Sequence, residues 1–159
     1  MKERSRCDYY FNEIYTEGLL KILDRITARQ PDEVVFPGRS ASKMGEDLEK
    51  MAGLLGRSLP SCRPLDHLTS CRISHGYEEE PGVIAELIHP NRDVIIVEDF
   101  ALSGCKLGNL KGNIEEAERN AGILCLASRW PDTDGQLGIE VIVRDNPGLV
   151  AWLRRRKSL

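Results

Sequence analysis

Two adjacent carboxylates, Glu98 and Asp99, stand a few residues ahead of a Ser103-Gly104 pair and a cation, Lys106. These residue types suit two neighbouring subsites. Carboxylates are pure hydrogen-bond acceptors, so Glu98 and Asp99 suit sugar hydroxyls or a hydrated divalent cation. Ser103 offers a hydroxyl, Gly104 lets the backbone approach closely and Lys106 adds positive charge, a set suited to a phosphate monoester. A phosphate subsite beside a hydroxyl subsite suits a ribose phosphate. The same residues allow a plainer reading: an acidic pair that is only solvated and a Ser-Gly that only caps a helix.

The flanking elements must position this chemistry. Residues 93–97 read as a short strand whose apolar run, 94–97, is continuous, as expected of a strand buried on both faces of a parallel sheet. The loop 100–106 follows, and a helical pattern spans residues 107–120 with Leu107, Leu110, Ile114 and Ala117 inward. A strand end, an acidic pair, a small-residue loop and a helix start are how open α/β sheets build ligand sites. The unpaired N–H groups and the dipole of the helix then face an anion.

The segment VIIVEDFALSGCKL, residues 94–107, resembles the phosphoribosyl-pyrophosphate (PRPP) binding motif of the type I phosphoribosyltransferases. That motif is an apolar strand, two acidic residues, a short loop with Thr or Ser before Gly, and a helix. The resemblance implies that Glu98 and Asp99 hold the ribose 2′- and 3′-hydroxyls, directly or with Mg²⁺. It implies that Leu102, Ser103, Gly104, Cys105 and Lys106 wrap the 5′-phosphate. The chain departs from the family at two of these positions. Some purine enzymes carry an Asp where Leu102 stands, in contact with the acceptor base, and a second Thr is usual where Lys106 stands.

A second strand–loop–helix unit lies upstream. Residues 33–36 read as a strand, 37–41 as a small-residue loop and 42–56 as a helix with Met44, Leu48, Met51 and Leu55 on its apolar face. Arg39, Ser40, Ser42 and Lys43 gather at that helix start, again a plausible anion site. FPGRSASKM is similar to the family's pyrophosphate loop, which implies that Gly38, Arg39, Ser40 and Ala41 grip pyrophosphate. Two anion loops after two parallel strands match a substrate phosphorylated at both ends. The family's loop often holds a strained peptide, so a non-proline cis bond is an expectation for residues 37–40.

Elsewhere the pattern is weaker. Residues 9–29 read as a first helix, with Phe11, Ile14, Tyr15, Gly18, Ile22 and Ile26 near one face. Residues 57–82 are rich in breakers and charge, with a short strand at 71–73. The resemblance implies a mobile loop over PRPP at about residues 72–82, which makes Arg72 and His75 candidates for touching pyrophosphate. Residues 83–89 read as a strand leading through a turn into residues 93–97 as a hairpin-like antiparallel pair. Residues 123–127 read as another buried strand, 137–143 as the last strand, and a helix starting at Asn146-Pro147 runs through Trp152. The resemblance places acceptor recognition after residue 127, at Arg129, Trp130 and Asp132. Trp130 would then stack on a base, or else pack on the core.

At 159 residues the expectation is one domain over residues 1–159. The net charge is −3 and the charges are mixed, which argues against general nucleic-acid binding. The basic run Arg154-Arg155-Arg156-Lys157 reads as a cationic last helical turn. No stretch approaches the ~20 apolar residues of a membrane span, and the N-terminus lacks an apolar signal core, so a cytoplasmic protein is expected. Five scattered cysteines without a C-x-x-C argue against disulfides and structural zinc.

The expected fold is α/β: a mostly parallel sheet of about five strands flanked by helices, type I phosphoribosyltransferase-like. The expected activity is that of a glycosyltransferase of nucleotide metabolism, moving phosphoribosyl from PRPP to a purine or pyrimidine base with Mg²⁺ and releasing pyrophosphate. Two alternatives stay open: a non-catalytic regulator of the same fold that binds PRPP or a nucleotide, and a different ribose-phosphate enzyme on the same sheet, such as a nucleoside phosphate hydrolase. Homodimers are common in the family.

Overall fold

The computed structural model describes residues 6–68, 82–101, 105–136 and 138–157. Helix α1 (Arg6–Arg29) leads into β1 (Glu33–Pro37), α2 (Arg39–Leu54) and β2 (Ser61–Leu65). Then come α3 (Gly82–Leu87), β3 (Val94–Ala101), α4 (Cys105–Glu116), β4 (Gly122–Ser128), α5 (Pro131–Gln136), β5 (Glu140–Val143) and α6 (Pro147–Lys157). The five strands form one sheet in the order β2-β1-β3-β4-β5, and every pairing is parallel. The fold is therefore α/β, a five-stranded parallel sheet flanked by helices.

Alternation along the strands feeds two cores. Val34, Phe36, Ile95, Val97, Leu124 and Leu126 face a layer made by α1, α2 and α6. Val35, Val94, Ile96, Ile123 and Cys125 face α3 and α4. Burial on both faces is why the central strands read as unbroken apolar runs. Close packing of the first layer depends on two small residues. A Cβ on Gly45 would sit 2.9 Å from the Phe36 ring, and one on Gly18 would sit 2.4 Å from Leu126. Both glycines let a helix backbone lie directly on the sheet.

The strand order carries a functional consequence. The chain moves outward from β1 to β2, then returns to place β3 on the other side of β1 and continues to β4 and β5. The order reverses between β1 and β3, and the crevice beyond their carboxyl ends is where open α/β sheets bind ligands.

Several boundaries differ from the sequence expectations. Residues 83–89 are not a strand. They lie mostly in α3, where Val83, Ile84 and Leu87 recur at helical spacing and are buried. A partial alternation over so few residues fits either period. Among the described residues no antiparallel pairing leads into β3. Strand β2 falls where no strand was legible, because it is a polar edge strand whose Pro64 is tolerated only at an edge. Helix α2 begins at Arg39 and ends before Leu55, which is exposed. Strand β5 is shorter than residues 137–143 and α6 extends beyond Trp152. The strand expected at residues 71–73 lies outside the described residues. Among the described residues no helix is long and apolar enough to cross a membrane.

Candidate functional site

Strand β3 continues through the acidic pair instead of ending before it, so Glu98 and Asp99 are strand residues. Both are buried, at 1% and 6% exposure. Successive strand residues point to opposite faces, which separates the two carboxylates. Glu98 is in register with Cys125, on the α3–α4 face. The Cys125 thiol is pushed well above its ordinary pKa, first by burial and then by the carboxylates of Glu98, Asp99 and Asp134. Asp99 instead lines a cavity on the α1–α2–α6 face.

The segment expected to form a pyrophosphate loop is mostly helix. Pro37 closes β1, Gly38 is the N-cap of α2, and Arg39, Ser40 and Ala41 form the first turn. Gly38 takes φ +85°, which disfavours any side chain, and a Cβ there would lie 3.2 Å from the Leu68 carbonyl. Its N–H donates to Leu65 O at 2.9 Å, and Ser42 Oγ donates to Gly38 O at 2.7 Å. The turn is thus tied to the edge strand and to its own helix. The cis peptide bond expected at residues 37–40 is absent: a glycine in positive φ makes the turn without one. Ala41 is fully buried, Arg39 is exposed and Ser40 faces the cavity.

That cavity, about 240 Å³, lies on the α1–α2–α6 face, close to the carboxyl-terminal part of β3 and to the helix start that follows β1. Ser40, Lys43, Met44 and Asp47 come from α2, Asp99 from β3, Tyr15 from α1, and Leu153 and Arg156 from α6. Tyr15 donates its hydroxyl to Asp47 Oδ2 at 2.7 Å. Burial and this carboxylate hold the Tyr15 phenol far above its ordinary pKa, so it remains a donor. The Arg156 guanidinium stacks over the Tyr15 ring at 4.7 Å and the Trp152 ring at 4.8 Å. Its Nη2 lies 3.9 Å from Asp47 Oδ2. The cavity therefore combines cations, a buried carboxylate and hydroxyls, a set suited to a small ligand carrying both anionic groups and hydroxyls.

The remaining candidates lie elsewhere. Leu102, Ser103 and Gly104, and also Arg72 and His75, lie outside the described residues. Cys105 and Lys106 are the first residues of α4. Arg129 and Trp130 follow β4, and Trp130 is 54% exposed, so it neither packs on the core nor lines the cavity. The Trp130 backbone N–H donates to Ser128 Oγ at 3.0 Å, and that hydroxyl donates to the buried Asp134. Asp132 is bound to Arg144 at the surface.

Tyr15, Asp47 and Arg156 were not singled out as site residues from sequence. Each occupies an ordinary position in an amphipathic helix, and only the packing of α1, α2 and α6 brings them together. Among the described residues no group of three His, Cys, Asp or Glu side chains could hold a metal ion. A Mg²⁺ ion needs only one or two carboxylates when phosphate oxygens and water complete its shell. Asp99 in the cavity wall fits that requirement, whereas Glu98 faces the other side of the sheet.

No family model matches the sequence, and no curated protein matches it. Among solved structures, a purine phosphoribosyltransferase from Pyrococcus horikoshii Ot3 is similar to the chain at 13% identity, with 76% of this chain and 74% of that chain covered and a TM-score of 0.44.

Proposed function

We propose that the chain binds PRPP at the carboxyl ends of β1 and β3 and transfers its phosphoribosyl group to a nitrogenous base, releasing pyrophosphate. One observation carries this reading. Ser40 and Asp99, read from two separate motifs, line one cavity at the point where the strand order reverses. The motif resemblance of residues 94–107 supplies the identity of the ligand.

In this reading Asp99 orients the ribose by accepting its hydroxyl hydrogens. Gly38, Arg39, Ser40 and Ala41 present a helix start to pyrophosphate, and residues 102–106 take the 5′-phosphate. Mg²⁺, when bound, would neutralise charge on the departing pyrophosphate. The bond to the anomeric carbon breaks through an oxocarbenium-like state. The side chains therefore act by positioning and charge stabilisation rather than by covalent chemistry. Glu98 supports from the opposite face, through the strand it shares with Asp99. Arg129 and Trp130, exposed beyond β4, offer a stacking face and a donor to the acceptor base.

Calorimetric titration with PRPP and Mg²⁺ tests the reading, on the native protein and on Glu98→Ala/Asp99→Ala. Binding that the double substitution abolishes is expected, followed by pyrophosphate release with one of a panel of bases. Absence of binding by the native protein overturns the proposal. The presence of Leu102 where some family members carry a base-contacting Asp favours a second reading, a regulator that binds PRPP without turnover. Under that reading binding persists and no base releases pyrophosphate.

A further inference from the structure

The basic run Arg154-Arg155-Arg156-Lys157 has a bland explanation as a helix end, but the structure singles out Arg156. Its guanidinium lies over two aromatic rings, Tyr15 from α1 and Trp152 from α6. Stacking of this kind fixes a planar cation before any ligand arrives, which lowers the ordering cost of binding. The nearest carboxylate, Asp47, is already engaged by the Tyr15 hydroxyl at 2.7 Å. Its Oδ2 sits 3.9 Å from Arg156 Nη2, longer than a hydrogen bond. The guanidinium is thus oriented by charge without Asp47 taking its donors.

Lys43 lines the same cavity one helical turn before Asp47. Among the described residues no carboxylate lies within ion-pair distance of it. Ser40, a further turn back, adds a hydroxyl. Two cations and a hydroxyl from α2 and α6 therefore share a space with Asp99.

We propose that Arg156 is a ligand-binding residue of this cavity and that, with Lys43 and Ser40, it holds the pyrophosphate group of a phosphorylated sugar. A guanidinium fork matches two phosphate oxygens at once, which an ammonium cannot do. The choice of pyrophosphate rests on the phosphoribosyl reading, whereas the two-cation cradle does not. Arg156 makes and breaks no bond; its work is to bind and orient the leaving group.

The test titrates Mg²⁺-pyrophosphate, PRPP and ribose 5-phosphate against the native protein, Arg156→Gln and Arg156→Lys, each checked for folding by thermal denaturation. Arg156→Gln should weaken pyrophosphate and PRPP by about tenfold or more while leaving ribose 5-phosphate unchanged. Arg156→Lys keeps the charge without the fork and should fall between; it decides the matter if the Gln variant does not fold. Emission from Trp152, in a Trp130→Phe background, should respond to pyrophosphate in the native chain and not in Arg156→Gln. Unchanged pyrophosphate affinity in both Arg156 variants overturns the inference and leaves the phosphoribosyl reading standing. Failure of the native protein to bind pyrophosphate also overturns it. Native binding of pyrophosphate without PRPP or ribose 5-phosphate, but with dependence on Arg156, upholds the cradle and removes the phosphoribosyl reading.

Discussion

The two ends of the sheet each bring a carboxylate together with basic side chains, and they do so in opposite ways. At the amino end, Glu33 opens β1 with its side chain 3% exposed. Arg63 donates to it from β2, Arg92 Nη1 lies 3.3 Å away and His89 Nε2 lies 4.0 Å away. Arg63 also donates to the carbonyls of Glu86 and Leu87, which ties the end of α3 to the sheet. Glu33 is enclosed and Arg63 is already committed to it and to α3, while Arg92 and His89 close over its second oxygen from the surface. At the carboxyl end the charges stand around open space, with Arg156 and Asp47 3.9 Å apart and the Asp47 side chain 37% exposed where that of Glu33 is 3%. A closed ion cluster spends its charges on the fold, whereas an open one leaves them for a ligand.

The largest expected effect tests the closed end. Glu33→Gln removes the charge that balances Arg63 and Arg92, and breaking a buried pair from one side costs about 3 kcal/mol. A urea titration should show a lower midpoint at unchanged slope, with PRPP affinity unaltered in the protein that remains folded. Asp99→Asn should do the reverse, with lost binding and a smaller change in midpoint. A loss below about 1 kcal/mol for Glu33→Gln would put this cluster with ordinary surface pairs and dissolve the contrast.

The two ends were also unequally legible in the sequence. Residues 33–36, 94–97 and 123–127 declare themselves as buried parallel strands because both faces are covered. Ser61-Cys62-Arg63-Pro64-Leu65 does not, since an edge strand has neither a continuous apolar run nor strict alternation. Ser40 and Asp99 were readable because loop and strand-end chemistry is local in sequence. The separation of Glu98 from Asp99 was not, because it follows from β3 extending through both residues. Arg156, Tyr15 and Asp47 were invisible as a group, since three helices from different parts of the chain supply them. The Glu33 cluster was missed for the same reason: Glu33, Arg63, His89 and Arg92 become neighbours only through strand pairing.

A smaller effect probes how firmly the open end is held. Tyr15→Phe deletes only the hydroxyl that donates to Asp47, a loss of about 1 kcal/mol. Its pH dependence has a definite sign. The folded Tyr15 phenol holds its proton above the ordinary tyrosine value of about 10, chiefly through burial and then through Asp47. Above that pH the unfolded chain releases the proton while the folded chain keeps it, so stability falls as pH rises. The contribution is complete below about pH 10. The stability difference between native and Tyr15→Phe protein should therefore shrink as pH climbs past that value. A difference that stays flat from pH 8 to about 11 would mean that the phenol is neither buried nor held by Asp47 in solution. Arg156 would then lack the fixed counter-ion on which its orientation depends.

The smallest effect belongs to a third acid–base pair, Asp132 with Arg144, which lies at neither end of this contrast. Both side chains are well exposed, Asp132 at 88%. Pairs of this kind contribute little, because water screens the attraction and two long side chains must be ordered. Asp132→Ala should change stability by no more than about 0.5 kcal/mol, and PRPP binding not at all. Its informative readout is the acceptor. If Asp132 reads the edge of a base, the substitution raises KM for the base and leaves PRPP affinity intact. If the KM is unchanged, recognition beyond β4 falls to Trp130 and Arg129, whose stacking face and cation need no carboxylate. An effect on PRPP itself would be the telling anomaly, because Asp132 does not line the cavity and a change there would have to travel through α5 and β4 to reach β3.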